Sequence, residues 1–233
     1  MPYLSRIYLN PLRTGAQRLL SNPQRMHAAV LGGLSRQPVA ERVLWRPERD
    51  GEHRASVLVL TRSTPSWEHL VEQAGWAASD DAQVLVRSYE PVLERIARGR
   101  EFRFRLRANP VSATRSPVKP SPEQQRRLQA TARPRGVRVA HRTAAHQLDW
   151  LKGRIGAWGF ALRADDRGGD AVRLTDRERL SFAKAGGHRV VIQTATFEGL
   201  LCVEDAERAQ ASLVDGVGAG RAYGCGLITL APV

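Results

Sequence analysis

The sequence predicts an α+β fold made of tandem ferredoxin-like (RRM-like) βαββαβ domains. Three observations lead there. Short stretches in both halves alternate apolar and polar residues, the pattern of half-buried strands. Segments between them carry apolar residues at helical spacing, with start and stop signals. The first half runs β-α-β-β-α-β, the split βαβ arrangement, and the second half repeats that logic without any short sequence repeat.

In chain order, YLSRIYLN (3–10) alternates and reads as the first strand. SNPQRMHAAVLGG (21–33) then opens a helix. Ser21 or Asn22 can cap it, Pro23 suits the first helical position, where a missing N–H costs nothing, and Gly32-Gly33 ends it. Met26, Ala29, Val30 and Gly33 recur at helical spacing, and His27 sits beside that stripe near the positive end of the helix dipole. VLWRP (43–47) and ASVLVLTR (55–62) pair as a hairpin, PSWEHLVEQ (65–73) is a short helix, and AQVLVRSY (82–89) is a strand. These make a first domain, 1–97.

The second domain, 98–233, opens on EFRFRLRANP (101–110). Phe102, Phe104 and Leu106 share one face of that strand, and Arg103, Arg105 and Arg107 the other. From Val111 to about Arg142 the composition turns to Pro, Ser, Arg and Gln with no apolar period, so 112–136 is expected to be a long, mobile basic excursion. TAAHQLDWLKGRIGAWG (143–159) reads as a helix, and 172–203 as two or three strands turning at Gly186-Gly187. EDAERAQASLVDG (204–216) is a helix, and AYGCGLITLA (222–231) a last strand.

Charge narrows the partners. The 233 residues carry a formal net charge of +13, mostly as arginine, with a pI near 11.1. Arginine's planar fork matches phosphate bidentately, so the excess points first to nucleic acid. An anionic membrane surface would call for a long amphipathic helix with a basic face, and none is found. The two cysteines, Cys202 and Cys225, form neither a CxxC pair nor a disulfide framework, which fits a reducing compartment. MPYLSRIYLNPLR lacks an apolar signal core, so a cytoplasmic location is expected.

Among candidate sites, the glycine-dense GVGAGRAYGCGL (216–227) could bring backbone N–H groups close to a phosphate or to a partner backbone. Nucleotide-binding glycine loops run strand, loop, helix, whereas here a helix precedes and a strand follows, so that reading is rejected. Gly218, Gly220 and Arg221 are the loop residues expected against RNA, and Arg221-Ala222-Tyr223-Gly224 echoes the start of an RNA-recognition strand. The paired acids Asp80-Asp81 and Asp165-Asp166 sit in turn-like contexts, no His/Cys cluster has zinc spacing, and no metal or other cofactor is expected. His53, His69, His141, His146 and His188 carry no motif and read as surface or structural.

GVGAGRAYGCGLITLAP, FRLRANP, TFEGLLCVEDAE and YLSRIYLNP with NPQRMH, occurring together in this order, resemble the CasE (Cse-type) CRISPR RNA endoribonucleases of subtype I-E systems. The likeness runs from the first strand to the last and breaks mainly in 112–136. It implies tandem ferredoxin-like domains and metal-independent cleavage of CRISPR repeat RNA at the base of its stem-loop. It also implies retention of the product within Cascade, with other Cascade subunits as partners. The family's catalytic histidine maps through NPxxMH onto His27. Some members carry a tyrosine three residues before that histidine; Gln24 stands there, so a tyrosine role does not transfer. The basic hairpin containing Arg173, Arg177, Arg179, Lys184 and Arg189 resembles the element the family lays along the stem, and Arg103, Arg105 and Arg107 offer a second stripe. Chemically, one imidazole titrating near neutrality, plus cationic or backbone donors, suffices for such a cut, because RNA brings its own nucleophile, the 2′-OH. The competing reading is a non-catalytic RNA-binding subunit of the same complex. A DNA-binding regulator is remote, since no helix-turn-helix is visible.

Overall fold

The computed structural model describes residues 1–233 except 50, 52, 78, 131–135, 166–167 and 184–188. The first domain runs β1 (Tyr3–Leu9), α1 (Thr14–Leu20), α2 (Pro23–Leu31), β2 (Leu44–Arg49), β3 (Ala55–Thr61), α3 (Glu68–Ala74) and β4 (Val84–Ser88). Its antiparallel sheet has the order β2-β3-β1-β4, with Ile7 opposite both Val57 and Val84.

β3 shows how this sheet is used. All seven of its residues are buried. Val57 and Val59 join Ile7, Met26, Val30, Trp45 and Leu70 in a core under the helices. Leu58 and Leu60 point the other way and join a core built mainly by the second domain. Side chains alternate across a strand, so a strand covered on both faces reads as a continuous apolar run.

After the short α4 (Glu90–Leu93), the second domain runs β5 (Glu101–Ala108), β6 (Val111–Thr114), α5 (Pro122–Gln129), β7 (Val137–Ala140), α6 (Ala144–Ile155), β8 (Phe160–Leu162), β9 (Val172–Ala183), β10 (Arg189–Val203), α7 (Ala206–Asp215) and β11 (Ile228–Pro232). The sheet order β11-β5-β10-β8, with β9 also pairing β10, is the same ferredoxin-like order with its edge strand split in two. Phe102, Phe104 and Leu106 of β5 pack with Leu151, Phe197 and Leu213 in one core. The fold is therefore tandem ferredoxin-like.

Several local expectations are corrected. Within 112–136 lie the end of β6 and helix α5, and β7 follows directly: β6 and β7 form a two-stranded ribbon, and α5 starts on a capping box between Ser121 and Gln124. The box and Pro122 are written in SPEQ, but the helix has almost no apolar face, and the ribbon's two four-residue strands are invisible without each other. Helix α1 was not anticipated. The last strand begins at Ile228, because Arg221–Tyr223 is one 3-10 turn held between Gly220 and Gly224, both left-handed. The turn at Gly186-Gly187 lies outside the described residues.

Candidate active site at the domain interface

Helix α2 starts as its sequence dictates. The Asn22 side chain accepts from the backbone N–H groups of Gln24 and Arg25, with Pro23 first in the helix. At about 100° per residue, Pro23, Met26 and Val30 share the face buried in the first domain's core. The Ala29 side meets α3, where His69 Nε2 lies 2.8 Å from the Ala29 carbonyl. The remaining flank, Gln24, His27 and Leu31, is half-buried, and from the second domain α2 is met by β9 and the turn Arg221–Tyr223. The imidazole of His27 thus belongs to the helix at which the two domains meet. Its Nδ1 is enclosed and has no partner among the described residues. Burial holds its pKa below the ordinary imidazole value, so the ring is neutral at neutral pH and able to accept a proton.

The glycine loop is a packing device. A Cβ at Gly224 (φ +76°) would sit 2.8 Å from the Trp45 ring, and one at Gly220 (φ +82°) 3.3 Å from Asn109. Gly218 lies beside Trp150. On the Cβ side, the near neighbours of these glycines are the protein's own side chains. Arg221 donates from Nη1 to the Gly216 carbonyl at 3.0 Å at the end of α7.

The two domains are also tied by charge. Arg46 of β2 is 2 % exposed. It donates to the carbonyls of Arg105 (2.8 Å) and Leu227 (3.0 Å), to Thr229 Oγ1 (2.8 Å) and to Glu48. Glu48 in turn binds Arg105, Arg105 binds Glu198, and Glu198 binds Arg173. Sequence reasoning missed this chain of alternating charges, since its members lie on four separate strands.

The network revises the basic stripe expected on β5. Arg107 is buried and paired with Glu178, and Arg105 lies between Glu48 and Glu198; of the three, Arg103 is the one that is exposed and has no carboxylate partner among the described residues. Alternation made all three look solvated, because the opposing carboxylates are remote in sequence. In the hairpin, Arg173 holds Glu198, and Arg177 donates to Gln147 and to the Arg142 carbonyl. Arg179 and Arg189 are exposed with no ion pair among the described residues, and Lys184 lies outside them. His141 Nε2 sits 2.7 Å from Ser112 Oγ, and Cys225 is a buried thiol pushed up to about 11 by desolvation. Among the described residues no group of three or more His, Cys, Asp or Glu is placed to hold a metal ion, and no helix is long and apolar enough to cross a membrane.

A sequence profile described as CRISPR associated protein matches residues 2–232. The chain belongs to this CRISPR-associated family. It is 35% identical over 237 residues to the CRISPR-associated endoribonuclease Cse3 of Thermus thermophilus, covering 99% of this chain and 100% of that one. The CRISPR system Cascade subunit CasE of Escherichia coli is 29% identical over 179 residues, covering 75% of this chain and 80% of that protein. The solved structure of Thermus thermophilus Cse3 bound to an RNA representing a pre-cleavage complex superposes with a TM-score of 0.76 at 36% identity, covering 99% of each chain. The chain is thus a CasE-type member of the CRISPR-associated family.

Proposed function

We propose that this chain is an endoribonuclease that cuts CRISPR repeat RNA at the base of its stem-loop and keeps the product as a subunit of Cascade. The whole-length likeness to an endoribonuclease with a pre-cleavage RNA complex supports the class of activity. The observation that carries the mechanism is His27: a neutral imidazole on the helix shared by both domains, with Nδ1 enclosed. That enclosure leaves Nε2 as the nitrogen able to meet a substrate. It takes the proton from the 2′-OH while that oxygen attacks the adjacent phosphate in line with the departing 5′-oxygen. The departing 5′-oxygen takes a proton from water and the imidazolium returns its own to solvent, so the products are a 2′,3′-cyclic phosphate and a 5′-OH. No metal enters the scheme, because the nucleophile is the substrate's own. Tyrosine assistance from position 24 is not available, since Gln24 has no acidic hydroxyl.

Of the arginines on the β5 stripe and the hairpin, Arg103, Arg179 and Arg189 are the ones left to meet RNA phosphates, being exposed and without a carboxylate partner among the described residues. The test is repeat RNA incubated with the protein in EDTA, wild type against His27→Ala. Cleavage that survives chelation and vanishes with His27, giving a cyclic phosphate, supports the scheme. A 3′-OH with a 5′-phosphate contradicts it, and unaltered cleavage by His27→Ala removes the imidazole from the chemistry.

A further inference from the structure

A groove of about 2040 Å³ runs between the β6–α5–β7 ribbon and the β9–β10 hairpin, and its inner end reaches Gly220 and Tyr223. It is about twice the upper end of small-molecule pockets (~1,000 Å³) and long enough in its lining to take a stretch of polymer. Its charge is one-sided. Arg138, Arg142, Arg179 and Arg189 line it, and no Asp or Glu does among the described residues. The contrast with the sheet face is direct, for there each of Arg105, Arg107 and Arg173 is matched by a glutamate. The asymmetry is visible in the sequence too, where Glu123 is the one acidic residue between Glu101 and Asp149. The walls carry flat and apolar surface as well: the rings of Tyr223, His141 and His146, and the half-exposed Val139 and Val191.

We infer that this groove holds the single-stranded RNA that continues beyond the cut. Cations alone would suit any polyanion, and the rings and valines discriminate. A paired A-form stem turns its base faces inward, while an unpaired strand offers them for stacking on Tyr or His. Position agrees, since Tyr223 belongs to the turn that packs on α2, the helix of His27, so a strand leaving the scissile phosphate enters the groove at that end. Hydrogen bonding shapes the outer wall. Gln124 of α5 donates to the Arg138 carbonyl of β7 at 2.9 Å, and Gln147 of α6 donates to the His141 carbonyl at 2.9 Å.

This inference rests on the proposed cleavage of repeat RNA, and its test separates the two. A repeat stem-loop RNA with a deoxyribose at the cut, bare or with an oligouridine 3′ extension of about eight nucleotides, is titrated with the full-length protein. The extension should tighten binding at least about tenfold, given stacking plus phosphate contacts. Arg138→Ala/Arg142→Ala should remove most of that gain and lower the salt slope for the extended RNA by about 1.4, while leaving binding of the bare stem-loop, and cleavage of a ribose repeat RNA without the extension, unchanged. Both positions are exposed, and a thermal melt confirms the fold. Equal affinity for bare and extended RNA overturns the inference and leaves the groove to a protein partner. Weakening of the bare stem-loop by the double variant overturns it too, because the groove would then hold the stem. Absence of His27-dependent cleavage of ribose RNA would sink the proposed function and leave the binding result readable by itself.

Discussion

Arg46→Ala is the perturbation that most directly tests how the two domains are joined. The side chain is 2 % exposed and Glu48 6 %. Removing it takes the donors from the carbonyls of Arg105 and Leu227 and from Thr229, and leaves the Glu48 carboxylate buried with Arg105 as its remaining partner among the described residues, 2.5 Å away. Breaking a buried ion pair from one side costs about 3–5 kcal/mol, and the surviving Arg105 contact argues for the lower end. For a chain of this size each kcal/mol moves Tm by about 2–4 °C, so the fall should be roughly 6–20 °C by circular dichroism or calorimetry. Cleavage should fall with it, since α2 is held against the Arg221–Tyr223 turn only while the domains keep their orientation. Arg46→Met combined with Glu48→Met should recover at least about 1 kcal/mol over Arg46→Ala, because apolar groups then replace the pair. A loss below about 1 kcal/mol for the single variant, or no recovery in the double, would refute the view that this charge chain joins the domains.

His27→Ala should lower single-turnover cleavage by at least about 10²–10⁴-fold while the dissociation constant for uncleavable RNA stays within about threefold. A base must be deprotonated to act, and burial places the His27 pKa below the usual 6.5; kcat/KM should therefore fall as the pH drops along a limb centred below 6.5, and a limb centred above 6.5 would contradict that burial. Gly224→Ala should cost about 1–3 kcal/mol in urea unfolding, because the added Cβ would lie 2.8 Å from Trp45 at a left-handed φ. Arg179→Ala should weaken RNA binding and flatten its salt slope by about 0.7–0.9, whereas Arg107→Ala, which strands Glu178, should lower stability and leave the slope alone.

Much of this protein is legible in one dimension. Alternation in YLSRIYLN and EFRFRLRA, the Asn-Pro start of α2 and the run ASVLVLT announced elements that the structure contains. Their order announced the ferredoxin-like plan, and the arginine excess announced a polyanionic partner. His27 was legible as a candidate through its NPxxMH context. The ribbon of β6 and β7 was not, since each strand is four residues long and exists only by pairing with the other across α5. Nor was the fate of the arginines. A strand's alternation tells which residues share a face, and says nothing of what that face meets. Arg107 meets Glu178, 71 residues away, and Arg46 meets Thr229, 183 residues away. Local pattern therefore determined the elements and the sign of the surface, because backbone geometry and solvent act on neighbours in sequence. Which cations are neutralised, which stand free along the groove, and what encloses the imidazole are decided by contacts between distant strands, and those exist only once the domains are packed together.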